Sequence, residues 1–170
     1  MKKEICFALC TVLLAAPATA RALDWEVKDV THTITAKVGE TSFTVDGEEI
    51  PLPKDMEVYK KDGYVMLPAE PLLNLLEKDA KSNWDREEGG PIIGYAGTTI
   101  LGFDTEKNEM YRNGSKVELS GTLEILRGEL FLPLRGWRAA LEGHGYAAGA
   151  MTWDSGTQTA SFQFSGQELE

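Results

Sequence analysis

Residues that commonly do chemistry are few and scattered in this chain. The two histidines, His32 and His144, are far apart in the sequence, and the two cysteines, Cys6 and Cys10, both lie near its start. A zinc or copper site needs several convergent ligands, and a catalytic triad needs a histidine beside its nucleophile. The spacing favours neither arrangement, so we expect no catalytic residue, no metal site and no cofactor.

Carboxylates are the one abundant reactive group. The chain carries 27 acids against 17 bases, which gives a formal charge of −10. This balance argues against a nucleic-acid-binding protein, which needs a basic face toward the phosphates. Two carboxylates that converge in a cleft can hydrolyse a glycosidic bond, so a small hydrolase stays open as an alternative function.

Residues 104–109 are similar in composition to a calcium-binding loop. They lack the glycine at the sixth position of such a loop and the acid at its twelfth, where Ser115 stands. We therefore interpret this segment as a polar hairpin loop, with weak calcium binding left open.

Aromatic side chains are better candidates for the recognition of a ligand. Trp84 and Trp153 could stack against sugar rings, but each stands just ahead of an apolar strand, which favours an anchoring role in the core. The glycine-rich segment 143–149 is interpreted as a loop and as a second candidate surface. The tyrosines that we expect at a recognition surface are Tyr59, Tyr95, Tyr111 and Tyr146.

The first 22 residues have the pattern of a secretory signal peptide. Lys2 and Lys3 precede the apolar residues 5–16, and both Ala18-Thr19-Ala20 and Ala20-Arg21-Ala22 offer small-x-small cleavage sites. The apolar run is shorter than the roughly 20 residues that a membrane-spanning helix needs. We expect export, and a mature chain of residues 23–170 without cysteine or membrane span, secreted or associated with the cell envelope.

The rest of the chain has the pattern of an internal repeat, with two copies over about residues 33–95 and 99–164. Both copies contain a turn of Asp or Asn followed by glycine, an apolar stretch that ends at a proline, and a closing Trp-Asp pair. We expect these matched residues to act as structural anchors. They are Gly47, Pro68, Trp84 and Asp85 in the first copy, and Gly114, Pro133, Trp153 and Asp154 in the second.

Each copy predicts the same short series of elements. Asp46-Gly47 and Asn113-Gly114 favour type I′ turns in β-hairpins. A strand ending in proline, an amphipathic helix and a final strand follow. The sequence predicts an α+β fold of two β-hairpin–strand–helix–strand repeats, with a mostly antiparallel sheet packed on helices. Since each copy has only about 65 residues, we expect both to share one core within a single domain, residues 23–170.

This repeat resembles the copper amine oxidase N-terminal-like domain, or stalk domain, of exported bacterial proteins. The second copy carries the family pattern in Phe131-Leu132-Pro133-Leu134-Arg135, in the helix that follows, and in Thr152-Trp153-Asp154. The first copy is looser, because Ala69-Glu70-Pro71 replaces the Leu-Arg step after Leu67-Pro68. The resemblance covers roughly residues 33–164.

What the resemblance implies is an accessory module, since the copper and quinone site of amine oxidases belongs to a separate catalytic domain. We expect an exported, non-catalytic binding or structural module of the cell envelope. Its partner is left open between a protein and a cell-wall polysaccharide, with no nucleic acid. The alternatives are a small exported hydrolase that uses a carboxylate pair and a secreted inhibitor or adaptor that binds a protein.

Overall fold

The structure is a computed structural model that describes residues 27–76, 85–86, 92–96, 99–143 and 145–169. The elements of the first half are β1 (Val27–Lys37), β2 (Ser42–Val45), β3 (Glu48–Pro51), β4 (Tyr59–Lys61), β5 (Tyr64–Pro68), α1 (Ala69–Leu76), β6 (Asp85–Arg86) and β7 (Ile92–Ala96). Those of the second half are β8 (Thr99–Asp104), β9 (Glu109–Arg112), β10 (Ser115–Val117), β11 (Glu124–Leu126), β12 (Glu129–Pro133), a 3₁₀ turn (Leu134–Gly136), α2 (Trp137–Gly143), β13 (Ala147–Asp154) and β14 (Thr159–Leu169).

The two predicted hairpins are confirmed. Asp46 and Gly47 have φ angles of 52° and 84°, and Asn113 and Gly114 have φ angles of 49° and 80°. Positive φ at both central residues is the requirement of a type I′ turn. These turns join β2 to β3 and β9 to β10, so Gly47 and Gly114 have the predicted structural role.

A second hairpin follows in each half, where the sequence pattern predicts a single strand. Its turn is Asp62-Gly63 between β4 and β5, with φ angles of 51° and 87°. The corresponding turn between β11 and β12 is Arg127-Gly128, also with φ angles of 51° and 87°. The two hairpins pair through β5 and β12, with Leu67 opposite Leu132, and form one four-stranded sheet.

Pro68 and Pro133 end the two central strands of this sheet and are buried. The α1 helix begins directly after Pro68, and the 3₁₀ turn that leads into α2 begins directly after Pro133. A proline has no N–H to donate to a strand ladder and suits the start of a helix. The predicted change from strand to helix at each proline is therefore confirmed.

The other strands form two five-stranded antiparallel sheets, each built from both halves of the chain. One has the strand order β13-β14-β1-β2-β3 and the other β10-β9-β8-β7-β6. The β1 strand pairs with β14 over its whole length, from Val27 opposite Leu169 to Lys37 opposite Thr159. Each half therefore contributes three strands to one sheet and two to the other.

A single core joins the two halves. Large buried side chains of the first half, such as Phe43 and Leu73, belong to the same apolar cluster as Phe103, Phe131 and Trp137 of the second half. All of these are at most 2% exposed. The expectation of one shared core agrees with this packing.

The predicted α+β class is wrong, because the fold is β-rich. In the described part of the chain the two helices have eight and seven residues. At about 1.5 Å per residue, each is roughly 12 Å long and too short to cover a five-stranded sheet. The apolar faces of the sheets are instead buried mainly against other strands. Separately, no helix among the described residues is long and apolar enough to cross a membrane.

Candidate functional site

A cleft of about 430 Å³ opens between the β4–β5 hairpin and strands β13 and β14. We call it the Trp153 cleft. Its polar wall comes from the hairpin, and its far wall comes from the edge strand β13. The lining residues are Lys60, Asp62, Gly63, Tyr64, Val65, Leu134, Arg135, Met151, Thr152, Trp153 and Ala160. It therefore combines aromatic, cationic, anionic and hydroxyl groups in one concave surface.

Trp153 is the largest apolar side chain in this cleft, and its predicted role as a core anchor is wrong. Its side chain is 40% exposed, and the ammonium Nζ of Lys60 lies 4.7 Å from the centre of its ring. The β13 strand is the edge of its sheet in the described part of the chain. The core tryptophan is Trp137, which is 1% exposed.

Asp154 has a structural role in the turn between β13 and β14. Its Oδ2 accepts a hydrogen bond from the Thr157 hydroxyl at 2.8 Å, and its Oδ1 accepts one from the Gly156 N–H at 2.8 Å. The Thr157 hydroxyl and the backbone N–H groups of Gly156 and Thr157 lower the pKa of Asp154. In the first half, Asp85 begins β6, while Trp84 lies outside the described residues.

Tyr59 holds two distant strands together. Its hydroxyl donates a hydrogen bond to Glu124 Oε2 at 2.7 Å, and Lys61 Nζ lies 3.0 Å from Glu124 Oε1. Burial, together with the hydrogen bond to the Glu124 carboxylate, raises the pKa of Tyr59 well above its ordinary value. The tyrosine ring packs 5.3 Å from the Phe131 ring. Tyr59 therefore links β4 to β11.

Tyr111 and Tyr146, two of the other proposed recognition tyrosines, have separate structural contacts. Tyr111 donates a hydrogen bond to Glu109, which also pairs with Lys116. The Tyr146 ring lies against the backbone of β14, where a Cβ on Gly166 would fall 2.3 Å from it. Tyr95 lies on β7, and its side chain is outside the described residues. Recognition by these tyrosines stays a prediction, while Tyr64, which lines the cleft, is a residue that the sequence pattern missed.

The segment interpreted as a glycine-rich loop, residues 143–149, is partly strand. Residues 147–149 belong to β13, which the sequence pattern did not predict. Ala147 and Ala148 pair with Ser165 and Phe164 of β14, and a bulge follows before Met151. Gly149 packs closely against β14, because a Cβ there would lie 3.0 Å from the Gln163 carbonyl oxygen. The glycine therefore serves close strand packing rather than a mobile loop.

His32 takes part in a structural pair. Its Nδ1 lies 2.6 Å from Asp46 Oδ2, and the Thr33 N–H donates to Asp46 Oδ1 at 2.7 Å. The imidazole is 22% exposed and packs 5.2 Å from the Phe164 ring. Burial raises the pKa of Asp46, but the hydrogen bonds from His32 and Thr33 together lower it below its usual value.

Several carboxylates are each held by donors of their own. Asp104, in the predicted polar hairpin loop, accepts hydrogen bonds from the Lys107 N–H at 2.9 Å and from Lys107 Nζ at 2.8 Å. Among the residues that the structure describes, no group of three or more His, Cys, Asp or Glu side chains could hold a metal ion. Among the described residues, every carboxyl with a shifted pKa has a lowered one. These carboxyls are Asp46, Asp104, Glu109, Glu124 and Asp154.

Comparisons with known proteins identify a family. Neither the curated proteins nor the solved structures gave a match to this chain. The family of the copper amine oxidase N-terminal domain matches residues 44–162. This single match runs from β2 to β14 and so spans both halves, while the interpretation of the halves as tandem copies stays a prediction. Because the match covers more than half of the sequence, the chain belongs to the copper amine oxidase N-terminal domain family.

Proposed function

We propose that this protein is an exported, non-catalytic module that binds a cell-wall polysaccharide in the Trp153 cleft. The observation that carries the proposal is the 40% exposed ring of Trp153 in a cleft lined by polar side chains. Ligand sites are concave and combine apolar or aromatic walls with a few polar groups that fix orientation. A sugar ring suits such a wall because it presents apolar C–H faces together with hydroxyl groups.

The groups around Trp153 supply the hydrogen bonds that a sugar needs. Asp62 can accept them, Thr152 can both donate and accept, and Arg135 offers several N–H donors. The Lys60 ammonium over the Trp153 ring restrains the orientation of the indole, because a cation is attracted to the face of an aromatic ring. A partly fixed aromatic wall loses less conformational entropy when a ligand binds.

The absence of catalysis in this proposal has two supports. The N-terminal domain of copper amine oxidases is not the catalytic domain. In addition, Asp62 is the one carboxylate among the described residues that line the Trp153 cleft, whereas glycoside hydrolysis requires two. These observations favour a binding module over the carboxylate-pair hydrolase.

Export is the second part of the proposal. It is supported by the signal-peptide pattern of residues 1–22, with cleavage after Ala22. N-terminal sequencing of the protein recovered from culture medium or from the wall fraction should begin at Leu23. A mature protein that still begins at Met1 would contradict this part.

The binding proposal is tested with mature protein, residues 23–170, and purified wall polysaccharide in a sedimentation assay. We expect the wild-type protein to be retained, and Trp153→Ala to lower the bound fraction about tenfold, because it removes the aromatic wall. Ile125→Ala is the matched control, since Ile125 is 50% exposed on β11 and lies outside the cleft.

Equal retention of the wild type and Trp153→Ala would contradict the cleft as the binding site. Capture of one stoichiometric protein from the culture supernatant, with no retention on polysaccharide, would favour the adaptor alternative. Cleavage of the polysaccharide by the wild-type protein would favour the hydrolase.

A further inference from the structure

A second cleft of about 430 Å³ lies between the β9–β10 hairpin and the α2 helix. We call it the arginine cleft, because Arg112, Arg135 and Arg138 all line it. Two carboxylates, Glu118 and Glu142, also line it. Arg135 lines both this cleft and the Trp153 cleft, so the two clefts are neighbours that share one guanidinium.

Two of the three arginines are held in place by contacts inside the protein. Arg112 Nη1 donates a hydrogen bond to the Ala139 carbonyl oxygen at 2.7 Å. Arg138 Nε donates one to Glu142 Oε1 at 2.9 Å, across one turn of α2. Each contact uses one of the five N–H donors of a guanidinium. The remaining donors are thereby positioned in advance, which lowers the entropic cost of binding a ligand.

The local charge of the two clefts differs from that of the whole chain. The sequence carries a formal charge of −10. Among the described residues, the combined lining has four cations and three anions, and these are Lys60, Arg112, Arg135, Arg138, Asp62, Glu118 and Glu142. The clefts are therefore a slightly positive region on an acidic protein, and this local field favours an anion there.

Resting on the proposed function, we infer that the ligand is an acidic sugar polymer. Its sugar ring lies against Trp153, and a carboxylate or phosphate group on the adjoining unit lies in the arginine cleft, with Arg135 between them. A guanidinium is the side chain best suited to this task, because its planar fork forms two parallel hydrogen bonds to a carboxylate or phosphate. A neutral polymer would leave the arginine cleft unused.

The test is a titration calorimetry series on the mature protein with three probes. The first is an oligogalacturonate, which carries one carboxylate per sugar. The second is the methyl ester of the same oligosaccharide, which keeps the sugar and loses the charge. The third is poly(glycerol phosphate), which reports whether phosphate is the preferred anion.

We expect at least one anionic probe to bind at least tenfold more tightly than the methyl ester. Arg138→Gln should weaken anion binding about tenfold and leave binding of the ester almost unchanged, because the guanidinium hydrogen-bonds the charged group of the ligand. Arg135→Gln should also weaken anion binding about tenfold. The matched control is Lys54→Gln, which removes one exposed positive charge outside both clefts. Added salt should weaken only the binding of the anions.

The outcomes separate this inference from the proposed function. Equal affinity for the acid and its ester, with both lowered by Trp153→Ala, would overturn the acidic ligand and leave a polysaccharide-binding cleft. Failure of both anionic probes to bind, beside retention on neutral wall polysaccharide, would also overturn it. Loss of affinity in Lys54→Gln equal to that in the arginine variants would mean a general charge effect and would overturn the arginine cleft as the site.

Discussion

The carboxylate of Asp46 connects the β2–β3 turn to strand β1 through hydrogen bonds. It lies in the type I′ turn between β2 and β3, and it accepts hydrogen bonds from the His32 imidazole and the Thr33 N–H on β1. Its φ of 52° is unfavourable for most residues, but Asp and Asn tolerate the left-handed region. One residue type thus serves both the turn and the contact to the neighbouring strand.

The lowered pKa of Asp46 gives stability a definite dependence on pH. A carboxyl whose pKa is lower in the folded state contributes stability above its ordinary pKa of 3.8, and this contribution is lost as the pH falls through the folded value. We expect Asp46→Asn to lower the free energy of unfolding at pH 7, and we expect this effect to diminish as the pH falls below 3.8. Urea unfolding from pH 7 to pH 2 measures the difference.

The control for this prediction is Glu57→Gln, which neutralises an exposed carboxylate. Its effect on unfolding should be within about 0.5 kcal/mol at every pH. A difference between wild type and Asp46→Asn that stays constant down to pH 2 would contradict a contribution from the ionised carboxylate.

At the scale of elements, a side-chain hydrogen bond joins the two edge strands of the four-stranded sheet. Its edge strands, β4 and β11, are separated by three spacings of about 4.8 Å each, yet Tyr59 on one reaches Glu124 on the other. The tyrosine ring lies near Phe131, which is fully buried, so the ring also covers an apolar part of the sheet. Because β4 and β11 come from different halves, this hydrogen bond joins the halves.

Tyr59→Phe tests this contact, because it removes the hydroxyl and keeps the ring. We expect it to lower the free energy of unfolding by about 1 kcal/mol, the usual net contribution of one hydrogen bond. Tyr64→Phe, on the neighbouring strand β5, is the matched control and should change stability by less than about 0.5 kcal/mol. Additive effects of Tyr59→Phe and Glu124→Gln in a double-mutant cycle would show that the two side chains do not interact.

The accuracy of the sequence predictions follows how local their causes are. The turns at Asp46-Gly47 and Asn113-Gly114 were predictable because two adjacent residues determine them. Asp62-Gly63 is the same kind of turn-forming pair. Arg127, by contrast, has a φ of 51° although arginine is not a residue type that favours such a turn. The wrong fold class has a related cause, since short apolar runs do not reveal how strands distant in sequence pair.

The candidate site illustrates the same limit. A tryptophan before an apolar strand suggested a core anchor, and Trp137 does occupy the core at 1% exposure. Trp153 is instead 40% exposed on β13, and the place of β13 at the edge of its sheet follows from the pairing of β14 with β1, which are far apart in the sequence. Arg135 was visible as part of the family pattern, but its position between two clefts depends on the packing of both halves.

At the scale of the whole molecule, the two halves exchange strands and cannot complete their sheets alone. The β1 strand of the first half pairs along its full length with β14, the last strand of the second half. The β7 strand of the first half pairs in turn with β8, the first strand of the second. The β5 and β12 strands form the third connection. These pairings and the common core predict one cooperative unit rather than two lobes.

Calorimetry of the mature protein tests this cooperativity with one substitution in each half. Leu73 on α1 and Leu130 on β12 are 1% and 2% exposed, so replacing either with alanine should cost about 2–5 kcal/mol. We expect a single unfolding peak whose calorimetric and van't Hoff enthalpies agree, and we expect both Leu73→Ala and Leu130→Ala to move that whole peak to lower temperature. Ile125→Ala, on the exposed edge of β11, should leave it nearly unchanged. Two lobes would instead give two peaks, and each core substitution would move only the peak of its own half. The reason is that a cavity destabilises only the cooperative unit that contains it.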